Sequence, residues 1–173
     1  MPKVLFVILL GLGLQSQAQY IPQGVNYGIA AIGSGREEPL IGFSPRVEYA
    51  PTCYTSYMAT YGYQFSLTEN ALTSSGFHEF SFSVNTILFN LEPVYITVGG
   101  GYMFNTSPAF DEKDTEAILF FKTGTINHGL ELKLRALIRV KLPIHIFAEI
   151  NIRSLGRLYD NIGVGVLYDF DLD

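Results

Sequence analysis

Three side chains of catalytic types lie close together in the stretch FHEFSFS (77–83): His78, Glu79 and Ser81. A histidine that takes a proton from a serine hydroxyl, with a carboxylate to orient its ring, is the arrangement used in nucleophilic hydrolysis. The stretch alternates apolar and polar residues, however, and the side chains of a strand point alternately to its two faces. Alternation places His78 on the face opposite to Glu79 and Ser81. The spacing therefore argues against a catalytic pair, unless a β-bulge shifts the local phase.

The other residues whose types could serve in catalysis or metal binding give weaker signals. The sequence predicts ordinary polar roles for His128, at a loop edge, and for His145, among charged residues. The acidic stretch DEKDTE (111–116) could contact a divalent cation or a receptor, but its spacing is not that of an EF-hand, and a solvated loop is favoured. A single cysteine, Cys53, excludes an intramolecular disulfide and a cysteine-based metal cluster. With no GxSxG, HExxH or phosphate-loop motif, we predict no enzymatic activity, no cofactor and no metal.

Alternating segments must position these side chains. The stretch GLELKLRALIRV (129–140) has Leu, Ala, Ile or Val at every second position and mostly charged residues between them. The stretch PIHIFAEINIR (143–153) repeats the pattern. A period of two fits a strand and does not fit a helix. Alternation continues along the chain and predicts eight strands, over residues 24–32, 40–50, 56–67, 77–89, 93–104, 126–140, 143–153 and 161–171.

The two faces of these strands differ throughout in composition. One face carries large apolar residues, such as Tyr27 and Ile29 in the first strand and Val164 and Val166 in the last. The other face is small, glycine-rich or charged, which suits a narrow lumen better than a hydrophobic core. Only 16% of residues are charged, where about a quarter is usual in soluble domains. We therefore predict an all-β, eight-stranded antiparallel up-and-down transmembrane β-barrel, with a soluble barrel as the alternative.

Charged residues of both signs fall on the inward face and define the candidate site. Eight strands enclose a space just wide enough for side chains, where isolated charges would be costly. We predict a luminal network of salt bridges that plugs the barrel and leaves no steady pore, and the favoured single pair is Glu149 with Arg135 or Lys133. The predicted luminal charge network consists of Arg46, Glu48, Glu79, Glu131, Lys133, Arg135, Arg139, Glu149, Arg153 and Asp169.

The connections alternate between short turns and longer loops, as in outer-membrane barrels. Loops 68–76 and 105–125 are candidate contacts for a surface partner. The second loop contains AILFF (117–121), an apolar run that is unusual in a loop. One hypothesis is that the strand at 126–140 extends here, pairs with an extension of the strand at 93–104 and leaves an edge open to partner strands. Outward aromatic residues fall at two levels, one near the loops and one near the turns.

The N-terminus predicts a secretory signal peptide over residues 1–18 and a barrel domain over residues 19–173. Lys3 supplies a positive charge, Val4 to Leu14 form a short apolar run, and Ser16 and Ala18 suit a cleavage site. The net charge of −5, without a basic cluster, disfavours nucleic acid as a partner. The predicted partners are outer-membrane lipid and a surface ligand, and the predicted state is a monomer.

On this pattern the chain resembles the small eight-stranded outer-membrane barrels, such as the OmpX-like proteins and the membrane domain of OmpA. One departure is that Phe170 is followed by Asp171-Leu172-Asp173, where such barrels usually end on an aromatic residue. The resemblance implies a Gram-negative outer-membrane protein with a structural or surface-interaction role. The alternatives are a membrane-embedded lipid-modifying enzyme, a small-solute pore and a barrel subunit of a secretion or conjugation assembly; fold alone does not choose between them.

Overall fold

Nine strands and one short 3-10 helix form in the part of the chain that the structure describes. The computed structural model describes residues 23–34, 39–68, 76–108, 117–141 and 143–170, so the predicted signal peptide lies outside the described residues. Within this part, no helix has the length and apolar character needed to cross a membrane. The strands are β1 (Val25–Ser34), β2 (Leu40–Tyr49), β3 (Thr55–Ser66), β4 (Phe77–Leu91), β5 (Val94–Asn105), β6 (Phe121–Thr123), β7 (Ile126–Lys141), β8 (Ile144–Arg153) and β9 (Asn161–Phe170).

Eight of these strands close into an antiparallel barrel. The sheet runs β5-β4-β3-β2-β1-β9-β8-β7, and pairing of β5 with β7 closes it. The predicted eight-stranded barrel is confirmed, with strand ends within two residues of those predicted. The ninth strand, β6, was not predicted; it pairs with the start of β7, where Phe121 lies opposite His128. In a closed sheet no barrel strand has a free edge. A membrane-spanning sheet must be closed in this way, because lipid cannot hydrogen-bond an unpaired backbone.

Alternation places the two side-chain sets on the two sides of the wall. On β8 the even-numbered residues from Ile144 to Ile152 are exposed and the odd-numbered ones are buried. The exposed set is apolar, as in Leu132 and Ile162, which are 63% and 60% exposed. In β4 the register with β5 shifts between Ile87 and Phe89, as at a β-bulge, close to the turn. The apolar face therefore points outward, as predicted.

Glycines make room inside for long side chains. A Cβ atom on Gly165 would lie 2.6 Å from Cζ of Phe147, whose ring is buried in the lumen. A Cβ atom on Gly163 would lie 3.1 Å from Cγ of Glu149. Both glycines sit on β9 beside β8, and together they let its large luminal residues lie against the wall. The glycine-rich character of the inward face therefore relieves crowding beside the long side chains of β8.

The barrel has a turn end and a loop end. At the turn end, β2 and β3 are joined by residues 50–54, β4 and β5 by Glu92-Pro93, and β7 and β8 by residues 142–143. At the loop end the connections are residues 35–39, 67–76, 106–120 and 154–160, and the last of these contains a 3-10 helix, η1 (Arg157–Tyr159). Only parts of the first three loops belong to the described residues, and the acidic stretch 111–116 lies outside them.

Candidate functional site

The structure brings nine of the ten predicted luminal charges into the barrel interior. These nine are buried, each at most 8% exposed, and Arg139 near the turn end of β7 is half-buried. Their positions follow from alternation, because each lies at the inward phase of its strand. Strands β2, β4, β7, β8 and β9 supply them, so the charges face one another across the lumen and are not confined to one wall. The nine are Arg46, Glu48, Glu79, Glu131, Lys133, Arg135, Glu149, Arg153 and Asp169.

Two bidentate ion pairs cross the middle of the lumen. Arg46 donates from Nη1 to Oε2 of Glu149 at 2.6 Å and from Nη2 to Oε1 at 2.8 Å. Arg135 donates from Nη1 to Oε2 of Glu48 at 2.9 Å and from Nη2 to Oε1 at 2.6 Å. Strands β2 and β7 lie on opposite sides of the barrel, since three strands separate them in either direction. Paired nitrogen–oxygen contacts of this kind are the strongest form of arginine–carboxylate recognition.

The predicted pairing of Glu149 with Arg135 or Lys133 is wrong. Arg135 does lie directly opposite Glu149 in the β7–β8 register, as the prediction assumed. Both side chains nevertheless extend across the narrow interior to β2, where Arg46 and Glu48 receive them. A guanidinium group at the end of a long side chain can reach the far wall, and there it meets a carboxylate head-on, with both nitrogens aligned. The cross-lumen ion pairs therefore form in place of the pair between neighbouring strands.

A second group of charges lies toward the loop end. Arg153 donates to both carboxylate oxygens of Glu79, at 2.7 and 2.6 Å, and to the backbone oxygen of Tyr159 at 2.8 Å. Gln64 adds a hydrogen bond to Glu79 at 3.2 Å. The remaining acid, Glu131, is held more loosely, at 3.4 Å from Nζ of Lys133 and 3.9 Å from Arg153. This group ties β4, β7 and β8 to the loop that follows β8.

An aromatic ring and a histidine–aspartate pair fill the turn half. The guanidinium carbon of Arg46 lies 4.5 Å from the centre of the Phe147 ring, and that of Arg135 lies 5.9 Å away. Phe147 therefore offers both central arginines the negative face of its ring. Nearer the turns, Nε2 of His145 lies 2.6 Å from Oδ2 of Asp169 on the neighbouring strand. His145 is luminal and beside charges, as predicted.

An apolar cluster, here called the loop-end cap, lies inside the barrel at the loop end, and sequence reasoning missed it. Ala117 and Phe120 pack against it from the segment that precedes β6. A signal was present, because Leu40, Phe77 and Met103 occupy the inward phase where the other strands carry polar residues. One member of the cap, Tyr159, donates its hydroxyl to Oγ of Ser107 at 3.1 Å. The cap consists of Leu40, Phe77, Met103, Leu155 and Tyr159.

The histidine and serine of FHEFSFS lie on opposite faces of β4, as the alternation predicts. His78 is exposed on the outer wall, where Nδ1 lies 2.7 Å from the Tyr61 hydroxyl, while Glu79 and Ser81 are buried inside. His128 is also on the outer wall; it hydrogen-bonds the Tyr102 hydroxyl and stacks on Phe121 at 4.4 Å. Among the described residues, no group of three or more His, Cys, Asp or Glu is arranged to hold a metal ion.

Aromatic residues form bands on the outer wall at the two predicted levels. At the loop end, Phe80 stacks on Phe104 at 5.1 Å, and Phe43 lies 6.0 Å from Tyr63. At the turn end, Tyr27 meets Phe170 edge to face at 6.4 Å. Such paired bands are typical of the two interfaces of a membrane barrel.

The hypothesis for AILFF (117–121) is wrong in its pairing partner. The end of this run, Phe121, belongs to β6 and pairs with β7 from the side of β8, not with β5. Strand β5 instead pairs with β7 up to Asn105, which lies opposite Asn127. Because the β5–β7 seam closes the barrel, no edge of β5 is left for residues 117–121.

Comparison with known proteins finds likeness of fold without likeness of sequence. No protein-family profile matches the chain, and no curated sequence matches it. A de novo designed transmembrane β-barrel superposes with a TM-score of 0.61 at 12% identity, over 88% of this chain and 99% of the other. The N-terminal β-barrel domain of OprF from Pseudomonas aeruginosa gives 0.56 at 13%, over 86% and 98%. The outer membrane protein Ail of Yersinia pestis, in a phospholipid nanodisc, gives 0.52 at 11%, over 86% and 99%.

At such identities the likeness concerns the fold alone. The chain has the fold of the small eight-stranded outer-membrane barrels, and its architecture is that of a transmembrane β-barrel, as the sequence predicts. The roles of those proteins do not transfer with the fold.

Proposed function

We propose that this chain is an integral outer-membrane protein of a Gram-negative bacterium. The observation that carries the proposal is the outer wall, which is apolar on all eight barrel strands while the buried charges face inward. Val140, Phe82 and Val164, on three different strands, are 60%, 57% and 56% exposed. Such a wall would be unfavourable in water, whereas lipid solvates it without cost. In this orientation the short turns face the periplasm and the long loops face outward.

We further propose that the luminal charge network plugs the barrel, so that no steady pore exists. Three arginine–glutamate pairs and one histidine–aspartate pair occupy the lumen, and the apolar loop-end cap lies above them. Eight strands leave space for little more than side chains. A conducting path would require ion pairs to separate in a low-dielectric interior, where unpaired charges are costly.

The first experiment is fractionation of cells that express the full chain, followed by electrophoresis of boiled and unboiled samples. We expect recovery in the outer membrane and a mobility shift on boiling, because a closed barrel resists detergent until it is heated. Recovery as a soluble periplasmic protein would contradict the lipid-facing orientation. Folded protein is then added to a planar bilayer, where we expect no reproducible conductance steps; regular steps would contradict the plug and favour a small-solute pore.

The role we propose is structural or in surface interaction, through loops 68–76 and 105–125. Support comes from the side chains that occupy the lumen: if they plug it as proposed, the loop end is the surface that external partners can reach. Half of the residues in these two loops lie outside the described residues, so the partner is to be found by experiment. We expect replacement of either loop by a short glycine–serine turn to abolish binding of the surface partner. The barrel itself should stay folded and heat-modifiable. Unchanged binding after both replacements would contradict a role for the loops.

We also propose that the chain is not an enzyme. His78 faces outward and is engaged by Tyr61, while Ser81 points into the lumen on the other side of β4. A nucleophile and its base on opposite faces cannot share a proton. Mass spectrometry of outer-membrane lipids is expected to give identical spectra with and without the protein. A lipid change that disappears in the His78→Ala or Ser81→Ala variant would establish the alternative, a lipid-modifying enzyme.

A further inference from the structure

An apolar groove interrupts the outer wall below the loop end. Its volume is about 540 Å³, within the range of small-molecule sites. Its floor is the backbone of Gly100 and Gly101 on β5, and at Gly100, which lies at the outward phase, the wall lacks a side chain. Leu130 and Leu132 on β7 and Ile152 on β8 form its sides. The groove therefore runs along the membrane-facing surface of the seam that closes the barrel.

Two exposed apolar residues overhang this groove. Ile118 and Leu119 belong to the segment before β6, are 65% and 73% exposed, and line the groove. In a loop facing water, two such side chains would find no apolar surface to cover. Here they project over a wall that is itself apolar.

Specific hydrogen bonds hold the overhang, and they converge on Ser154. The N–H of Ile118 donates to the Ser154 backbone oxygen at 2.6 Å, and the Ser154 hydroxyl donates to the Leu119 oxygen at 3.2 Å. The N–H of Leu130 in turn donates to the same hydroxyl oxygen at 2.7 Å. Leu119 adopts a φ of +54°, a left-handed conformation that is unfavourable for a residue other than glycine. The fold thus accepts local strain to hold Leu119 at this place.

A second groove on the same wall provides a contrast. It has a volume of about 310 Å³ and forms where Ala136 and Ala148 lie side by side on β7 and β8. All of its lining residues belong to barrel strands. It is smaller and has no overhang, so a lipid chain in it would exchange with the surrounding lipid as quickly as elsewhere on the outer wall.

We propose that the overhung groove binds one acyl chain of a membrane lipid from the loop-side leaflet, as a long-lived ligand. The inference rests on the proposed orientation with lipid outside. Of the polar residues at the groove, Arg153 and Glu131 point into the lumen, and the Ser154 hydroxyl is used by the overhang. Strands β5, β7 and β8 are each paired on both sides, so an added peptide strand finds no free backbone here. An unbranched hydrocarbon chain is the occupant that this lining accepts.

The test counts lipids that stay with the protein. The full chain is folded in vesicles of dimyristoylphosphatidylcholine, transferred to a mild detergent and analysed by native mass spectrometry. We expect the unmodified protein to retain one lipid. Gly100→Leu should lower the lipid-bound fraction by about tenfold or more, because the new side chain displaces several methylene groups of the ligand. A Cβ atom at Gly100 meets its nearest neighbours at 3.6 Å, so the variant has room to fold.

The matched control is Ala148→Leu, which fills the second groove and should leave the retained lipid unchanged. Leu119→Gly removes one side chain of the overhang and relieves its left-handed backbone, so it should lower lipid retention without lowering stability. Absence of retained lipid in the unmodified protein, or equal retention in the Gly100 and Ala148 variants, would overturn the proposal. Two-copy complexes that Gly100→Leu abolishes would also overturn it and would assign the groove to a second copy of the chain. Heat-modifiability of the same samples reports separately on the proposed membrane barrel.

Discussion

The middle of the lumen and the loop-end cap fill the same barrel by opposite means. The middle holds charges that reach from wall to wall, such as Arg135 and Glu48, neither of which has any exposed surface. The cap holds Leu40, Phe77 and Met103, which pack without needing partners of a particular kind. A buried charge depends on one specific partner, whereas an apolar residue depends only on being surrounded. The two regions should therefore respond differently to the same kind of substitution.

The largest effect is expected for Arg135→Met. This change removes the guanidinium group that holds Glu48 and leaves a buried carboxylate without its counter-charge, although the hydroxyl of Ser56 still donates to it. Breaking a buried ion pair in this way costs roughly 3–5 kcal/mol. Urea unfolding in phospholipid vesicles, followed by circular dichroism, measures the loss. Arg157→Met, at an exposed position of the 3-10 helix, is the matched control and should leave the unfolding midpoint in place. An equal loss in both variants would contradict the role given to the central pair.

A smaller loss is expected for Phe77→Ala in the cap. Phe77 is 1% exposed and meets the ring of Tyr159 edge to face at 6.1 Å. Removal of a buried ring leaves a cavity and costs about 3 kcal/mol, at the low end of the usual range because loop residues can settle into the space. The bilayer conductance should stay at zero, since the charges below still fill the lumen. Conductance steps in this variant would show that the cap alone closes the barrel.

Replacement of both partners of a central pair should be milder than replacement of one. In the double variant Arg46→Met and Glu149→Leu, no uncompensated charge remains, so the free energy of unfolding should lie within about 2 kcal/mol of the unmodified value. Each single variant should lose more than the double variant. The same unfolding assay gives all four corners of this cycle, and strictly additive losses would show that Arg46 and Glu149 are not coupled.

The smallest effect concerns the polar upper surface of the cap. Tyr159→Phe removes the hydroxyl that donates to Ser107 and keeps the ring within the apolar cluster. Loss of one such hydrogen bond costs about 1 kcal/mol. If the variant unfolds as readily as Phe77→Ala, the cap is held by its hydrogen bonds more than by its packing.

Alternation was sufficient to predict the eight barrel strands and the inward direction of the nine buried luminal charges. It applies residue by residue, so Glu48 and Arg135 could be assigned to the interior before their strands were arranged in space. The partners of these charges could not be predicted in the same way. Which residues face one another across the lumen depends on the closure of β5 onto β7 and on the tilt of all eight strands. Neighbouring-strand reasoning therefore chose Arg135 for Glu149, where the closed barrel provides Arg46.

Strand β6 and the overhang before it escaped prediction for another reason. The apolar run 117–121 was recognised as unusual, but strand β6 at its end has only three residues, too few for a periodic pattern. Its position depends on contacts with distant parts of the chain, such as the hydrogen bonds to Ser154. The outer groove could not be predicted from the sequence either. Gly100 leaves a gap in the wall only because Val84 and Leu132 lie beside it on the two neighbouring strands. Features made by three strands at once are not visible in the pattern of one.

The cross-lumen pairs also have a mechanical consequence. A hollow barrel can flatten under the lateral pressure that a bilayer exerts on the proteins within it. Two ion pairs span the lumen from β2, Glu48 to Arg135 on β7 and Arg46 to Glu149 on β8, and they oppose a change in the shape of the cross-section. We therefore expect the cross-section of the barrel to change little when the lateral pressure of the bilayer changes.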